Sequence, residues 1–163
     1  MLTTNVQNGL GLAPANLAEG WAYVRGQAFT RGMVGQFDLA NSNANVTNNI
    51  PGDPASGFSN LIVPASGANQ TGILGVVQAD IDENNKGKFR SLGETYVYVV
   101  KASGSIAKGD ALCVVASHTY LSPSTTAGDR VVAWAMEAAT TPTSPTLVKC
   151  LVDLVNGLGT IAA

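Results

Sequence analysis

The residues of this chain that are able to do chemistry are few and scattered. His118, in Ala116-Ser117-His118-Thr119-Tyr120-Leu121, is the single histidine. Any Ser-His-Asp relay would have to use it, and no Gly-x-Ser-x-Gly elbow supplies a nucleophile. Cys113 and Cys150 each sit in apolar strand-like text and read as unpaired, buried thiols that behave as small hydrophobes. One histidine and two isolated cysteines provide no close-spaced ligand pair for zinc. Asp80-Ile81-Asp82-Glu83-Asn84 begins like a calcium loop, with oxygen ligands at alternate positions. Its sixth position is Asn85 where glycine belongs, and its twelfth is Ser91 where a bidentate carboxylate belongs, so it reads as a solvated polar loop. Gly9-Leu10-Gly11-Leu12 precedes no strand–helix unit and is no phosphate cradle. Asp38, Asp53, Asp110, Asp129 and Asp153 stand apart, mostly beside turn residues, where aspartate caps its own backbone. The expected catalytic, cofactor and metal sets are therefore empty, and the chain reads as a non-enzyme.

What the elements must position is then surface. The chain has 163 residues, enough for a real core, and 45% of them are hydrophobic. Only 12% are charged, against about 25% in ordinary globular domains, which leaves a surface suited to packing on other protein. A net charge of −2 and the lack of any Lys/Arg cluster argue against nucleic-acid binding. No apolar run approaches the roughly 20 residues of a membrane-spanning helix, and the start Met1-Leu2-Thr3-Thr4-Asn5 lacks the form of a signal peptide. Synthesis in a cytoplasm, with no membrane partner, is the expectation.

The strand text is dense. Glu94–Lys101, Ala111–Val115, Val131–Glu137 and Leu147–Val155 are runs of β-branched and aromatic residues bounded by Gly, Pro, Ser or Asp. In the third run, Val132, Trp134, Met136 and Ala138 read as the core face. In the fourth, Val148, Cys150, Val152 and Leu154 do so, and the opposite faces remain half apolar, as if something covers them. Further strands are expected over 22–25, 27–30, 33–39, 61–63 and 72–79, with a long Asn-rich loop over 40–57 and a polar loop over 80–90. No repeat long enough for a solenoid is evident. The fold class is all-β: a small β-barrel, β-clip-like or sandwich module with long loops. An N-terminal arm occupies residues 1–20 and a single β domain residues 21–163, its C-terminal module covering about 91–157.

From Tyr96 onward the order of elements resembles that of small bacteriophage capsid decoration, or cement, proteins. The carrying pieces are Tyr98-Val99-Val100-Lys101, Ile106-Ala107-Lys108-Gly109-Asp110-Ala111-Leu112, the loop Ser122 to Asp129, Val131–Ala138 and Val148-Lys149-Cys150-Leu151-Val152. The long Asn-rich loop departs from the short members of that family. The resemblance implies a homotrimer on the outer capsid surface of a virion, with the major capsid protein as partner and arms or loops reaching neighbouring subunits. Candidate contact residues are Leu10, Leu12 and Leu17 in the arm, Phe58 in the loop, and the aromatics Trp21 and Tyr120, expected to be exposed. A rival reading is a carbohydrate-binding or adhesive module in which Trp21, Tyr23, Trp134 or Tyr120 stacks on sugar. A third is a trimeric dUTPase-like enzyme, suggested by Val76-Val77-Gln78-Ala79-Asp80 but lacking an Arg-Ser-Gly phosphate motif.

Overall fold

The computed structural model describes residues 19–38, 60–65, 74–140, 142–155 and 157–162. Leu10, Leu12, Leu17, Phe58 and most of the expected arm and long loop lie outside them. The described residues contain twelve strands and no helix, so the all-β class holds. β1 (Glu19–Val24), β2 (Val34–Phe37), β3 (Asn60–Ile62), β4 (Leu74–Val77) and β5 (Lys86–Arg90) close into one barrel, in the order β1-β3-β2-β4-β5. β6 (Leu92–Val99), β7 (Ala111–Val114), β8 (Leu121–Pro123), β10 (Ala133–Ala135) and β11 (Thr146–Asp153) close into a second, in the order β10-β11-β6-β8-β7. β9 (Arg130–Val131) pairs with β12 (Gly159–Thr160) outside the barrels.

The two barrels are the same fold twice. β1 with β3 and β6 with β8 are the parallel pairs, and every other pair in each barrel is antiparallel. Registers agree residue for residue. Val24 faces Leu61 as Val99 faces Leu121, and Trp21 faces Lys88 as Tyr96 faces Lys149. Val77 faces Phe89 as Ala135 faces Cys150. Each barrel carries one isolated antiparallel bridge in the same place, Phe29 to Ile81 and Ile106 to Ala139. Superposed by register, Glu19-Gly20-Trp21-Ala22-Tyr23-Val24 lies on Glu94-Thr95-Tyr96-Val97-Tyr98-Val99.

Each barrel is filled by its inward side chains, because alternate residues of a strand face opposite sides. In the first, Phe29, Phe37, Leu61 and Phe89 are almost wholly buried, and Phe37 meets Phe89 edge to face with ring centres 5.0 Å apart. Such a pair contributes about 0.5–1.5 kcal/mol beyond its area. The second is filled by Val97, Val99, Leu112, Leu121, Val148, Cys150 and Val152. Val34, Leu74 and Val76, from the outer wall of the first barrel, belong to that same apolar cluster, so the two barrels share a core at their junction. Backbone bonds cross there too: Tyr98 N–H donates to Gly32 O at 2.8 Å and Val34 N–H to Thr119 O at 2.7 Å.

Three local expectations are corrected. The text over 80–90 is a polar loop only as far as Asn85. Lys86–Arg90 is β5, alternating outward lysines with inward Gly87 and Phe89, and it closes the first barrel against β1 and β4. The residues 27–30 form no strand, and Phe29 alone pairs, through an isolated bridge to Ile81. Trp134 lies outside rather than in the core. Ala133 and Ala135 point inward at 0% and 2% exposure, since a five-stranded barrel has room there for a methyl group and none for an indole.

Candidate interaction surface

The outer face of β6, β11 and β10 is the most apolar exposed surface among the large hydrophobic side chains described. β11 sends Val148, Cys150 and Val152 inward, which leaves Leu147, Lys149, Leu151 and Asp153 outward. On the neighbouring strands the same face carries Leu92, Glu94 and Tyr96 from β6 and Trp134 from β10. Leu151 stands between Trp134 and Glu94, and Lys149 stands opposite Tyr96. Leu92, Tyr96, Trp134, Leu147 and Leu151 are all between 36% and 41% exposed. One ion pair crosses this face, with Lys149 Nζ 2.7 Å from Glu94 Oε2. The hydrogen bond and charge of Glu94 hold the Lys149 ammonium above its ordinary pKa. Exposed pairs of this kind are screened by solvent and add little to stability, so the face is shaped by its apolar groups.

The equivalent face of the first barrel is cationic and aromatic. Trp21 is 55% exposed, and Lys88 Nζ lies 5.5 Å from its ring centre. Lys86 takes the same position over Tyr23, at 5.7 Å. Glu19 pairs with Arg90, whose hydrogen bond and charge hold the carboxyl below its ordinary pKa. Where the two barrels meet, the Arg31 guanidinium lies 5.8 Å from the Tyr96 ring centre.

The contact residues expected from sequence fare unequally. Trp21 is exposed as anticipated. Tyr120 is half-buried instead of exposed, because its ring packs on His118 with centres 4.7 Å apart. Sequence reasoning passed over Leu92, Tyr96, Leu147 and Leu151 as individual contact residues. The half-apolar outer alternation of β11 was the signal for the last two.

The groups singled out for chemistry have structural occupations. His118 Nδ1 is 2.7 Å from Ala116 O, beside Ser117 at φ 61°. Cys113 and Cys150 are free and buried; desolvation pushes their thiols up to about 11 and about 12, away from the thiolate a nucleophile needs. Asp80 Oδ1 accepts the Arg31 N–H at 2.8 Å. Asp110 Oδ2 accepts the Ala107 N–H at 3.0 Å, and Gly109 supplies the turn with φ +94°. Three or more His, Cys, Asp or Glu side chains do not converge anywhere among the described residues.

No protein-family profile matches the chain, and no curated protein matches it in sequence. In backbone shape it is similar to the N base of the head fiber gp8.5 of bacteriophage phi29. That likeness has 15% sequence identity, covers 82% of this chain and 92% of that chain, and has a TM-score of 0.48.

Proposed function

We propose that the chain is a non-catalytic structural protein of a bacteriophage virion. It sits on the outer capsid surface as a homotrimer, binds the major capsid protein and stabilises contacts between capsid subunits, with no nucleic acid, membrane or cofactor involved. One observation carries this reading: the face of Leu92, Tyr96, Trp134, Leu147 and Leu151, left open to water on a chain poor in surface charge. Leaving such a face wet forgoes about 25 cal/mol for each Å² of apolar area that a partner would cover. A specific protein contact removes about 1,200–2,000 Å² from water, and many copies on one lattice compound its effect. The order of elements from Tyr96 to Val152 supports the capsid as that partner through its resemblance to decoration proteins.

Adding purified chain to capsids that lack it tests the reading. Binding should saturate at a fixed number of chains per shell and raise the temperature at which shells open. Capsids that neither retain the chain nor gain heat resistance would end it. Trp134 keeps one alternative in view, because an exposed indole also suits sugar stacking. Glycan binding that disappears in Trp134→Ala would favour an adhesive module instead.

A further inference from the structure

Cations on this chain meet their surroundings in two ways. Arg90 pairs with Glu19, Lys101 with Asp110 and Lys149 with Glu94. Lys86 and Lys88 are instead held over the rings of Tyr23 and Trp21, 5.7 and 5.5 Å from the ring centres. No ion pair reaches either of these two ammonium groups among the described residues.

The alternation of β5 produces this arrangement. Lys86, Lys88 and Arg90 point outward while Gly87 and Phe89 point into the barrel, and β1 places Tyr23 opposite Lys86, Trp21 opposite Lys88 and Glu19 opposite Arg90. Of the three cations, only Arg90 finds a carboxylate across the strands. A ring fixes an ammonium without neutralising it, so two positive charges stand about 7 Å apart, the advance of two residues along a strand. Tyr23 is 6% exposed and serves only as the seat of Lys86, whereas Trp21, 55% exposed, is an open apolar shelf beside Lys88. Outward positions continue past Ser91 to Leu92 and Glu94, and Arg90 donates to the Glu94 carbonyl, so this strip borders the apolar face of the second barrel.

We propose that the Lys86–Lys88 strip receives an extended, acidic segment of the shell protein, with carboxylates at alternate positions meeting the two lysines and the segment's flank resting on Trp21. Alternate side chains of an extended peptide recur every 7 Å or so, roughly the spacing of the two lysines along β5. Because the rings already hold both ammonium groups in place, little further ordering is needed when the carboxylates arrive. A partner that spans the strip and the neighbouring face must bring apolar side chains beside its carboxylates, which a protein does and a nucleic acid does not. Exposed charges are screened by salt, so the contact acts mainly through the rate of association and its salt dependence. The inference rests on the capsid-binding reading above and adds the partner's chemistry at a surface on which that reading does not depend.

The test has two arms. Both use the full chain, a double Lys86→Gln, Lys88→Gln variant, a double Lys86→Arg, Lys88→Arg variant that keeps the charge, and a double Lys101→Gln, Lys108→Gln variant that makes an equal charge change on the second barrel; thermal midpoints verify each fold. In the first arm a dye-labelled decaglutamate peptide is titrated and its anisotropy read. The unsubstituted chain, the arginine variant and the second-barrel variant should bind it alike, and the Lys86→Gln, Lys88→Gln variant about tenfold more weakly. In the second arm, capsids that lack the chain should bind the unsubstituted chain about tenfold less tightly as salt rises from about 0.05 to about 0.5 M, and the Lys86→Gln, Lys88→Gln variant should show most of that loss already at low salt. Equal peptide binding by all variants, tighter binding of an oligothymidylate of equal length, or capsids that take up every variant equally would overturn the proposal and leave the capsid reading standing. Capsids that take up no chain at all would end that reading, and this inference with it.

Discussion

Gly32 and Gly109 hold the same position in two copies of one barrel and meet different surroundings. Their φ angles are +92° and +94°, and their N–H groups donate to Val77 O at 2.9 Å and Ala135 O at 2.7 Å. A Cβ at Gly32 would lie 2.3 Å from Leu147 Cδ2, whereas a Cβ at Gly109 meets nothing within 4 Å. The backbone requirement is shared, and the packing requirement belongs to the junction between barrels alone.

Alanine at either glycine should therefore cost about 1 kcal/mol for the positive φ. Gly32→Ala should cost more than Gly109→Ala, because Leu147 has to move. Urea unfolding measures both. Adding Leu147→Ala to Gly32→Ala should reduce the excess, and an unchanged excess would mean that this side chain is not what the methyl group meets.

The shared cluster of Val34, Leu74 and Val76 with the second barrel's core should make the two barrels unfold together. Calorimetry should show one transition. Val76→Asp, which places an uncompensated charge at a fully buried site, should split or strongly lower it. Two well-separated transitions in the unsubstituted chain would count against a common core.

Leu61 and Leu121 are equivalent and both fully buried, facing Val24 and Val99. Alanine at either should destabilise by about 2–5 kcal/mol. A loss below about 1 kcal/mol at both positions, read from denaturant midpoints, would contradict their place inside the barrels.

Alkaline pH should weaken the fold through its cysteines. Burial raises the Cys113 thiol from an ordinary value of 9.0 to about 11, and the Cys150 thiol to about 12. Between those limits the unfolded chain releases protons that the folded chain retains, so this contribution is whole below pH 9 and falls as pH rises. The urea midpoint should drop between neutral pH and pH 10, about one unit above that ordinary value. The drop should be smaller in the Cys113→Ala, Cys150→Ala variant, and an equal drop in both proteins would remove the cysteines as the cause.

Much of this architecture is legible in the residues. β6 and β11 announce themselves by alternation, and Val148, Cys150, Val152 and Leu154 are buried as their spacing predicts. Lys86-Gly87-Lys88-Phe89-Arg90 was opaque because a glycine and one phenylalanine are its only inward residues, and composition then resembles a loop. Trp134 was misassigned because hydrophobicity suggests burial, whereas the bore of a narrow barrel accepts Ala133 and Ala135. The duplication hid for another reason. Glu19, Tyr23 and Val24 are identical to Glu94, Tyr98 and Val99, but the spacing between equivalents shifts from strand to strand as connections lengthen or shorten. Only register aligns them.

The most direct test of the proposed role is to quantify this chain in sedimented virus particles against their principal shell protein. The account predicts a constant molar ratio that survives repeated washing and gradient purification. Particles free of the chain, with all of it left in the soluble fraction, would contradict the account.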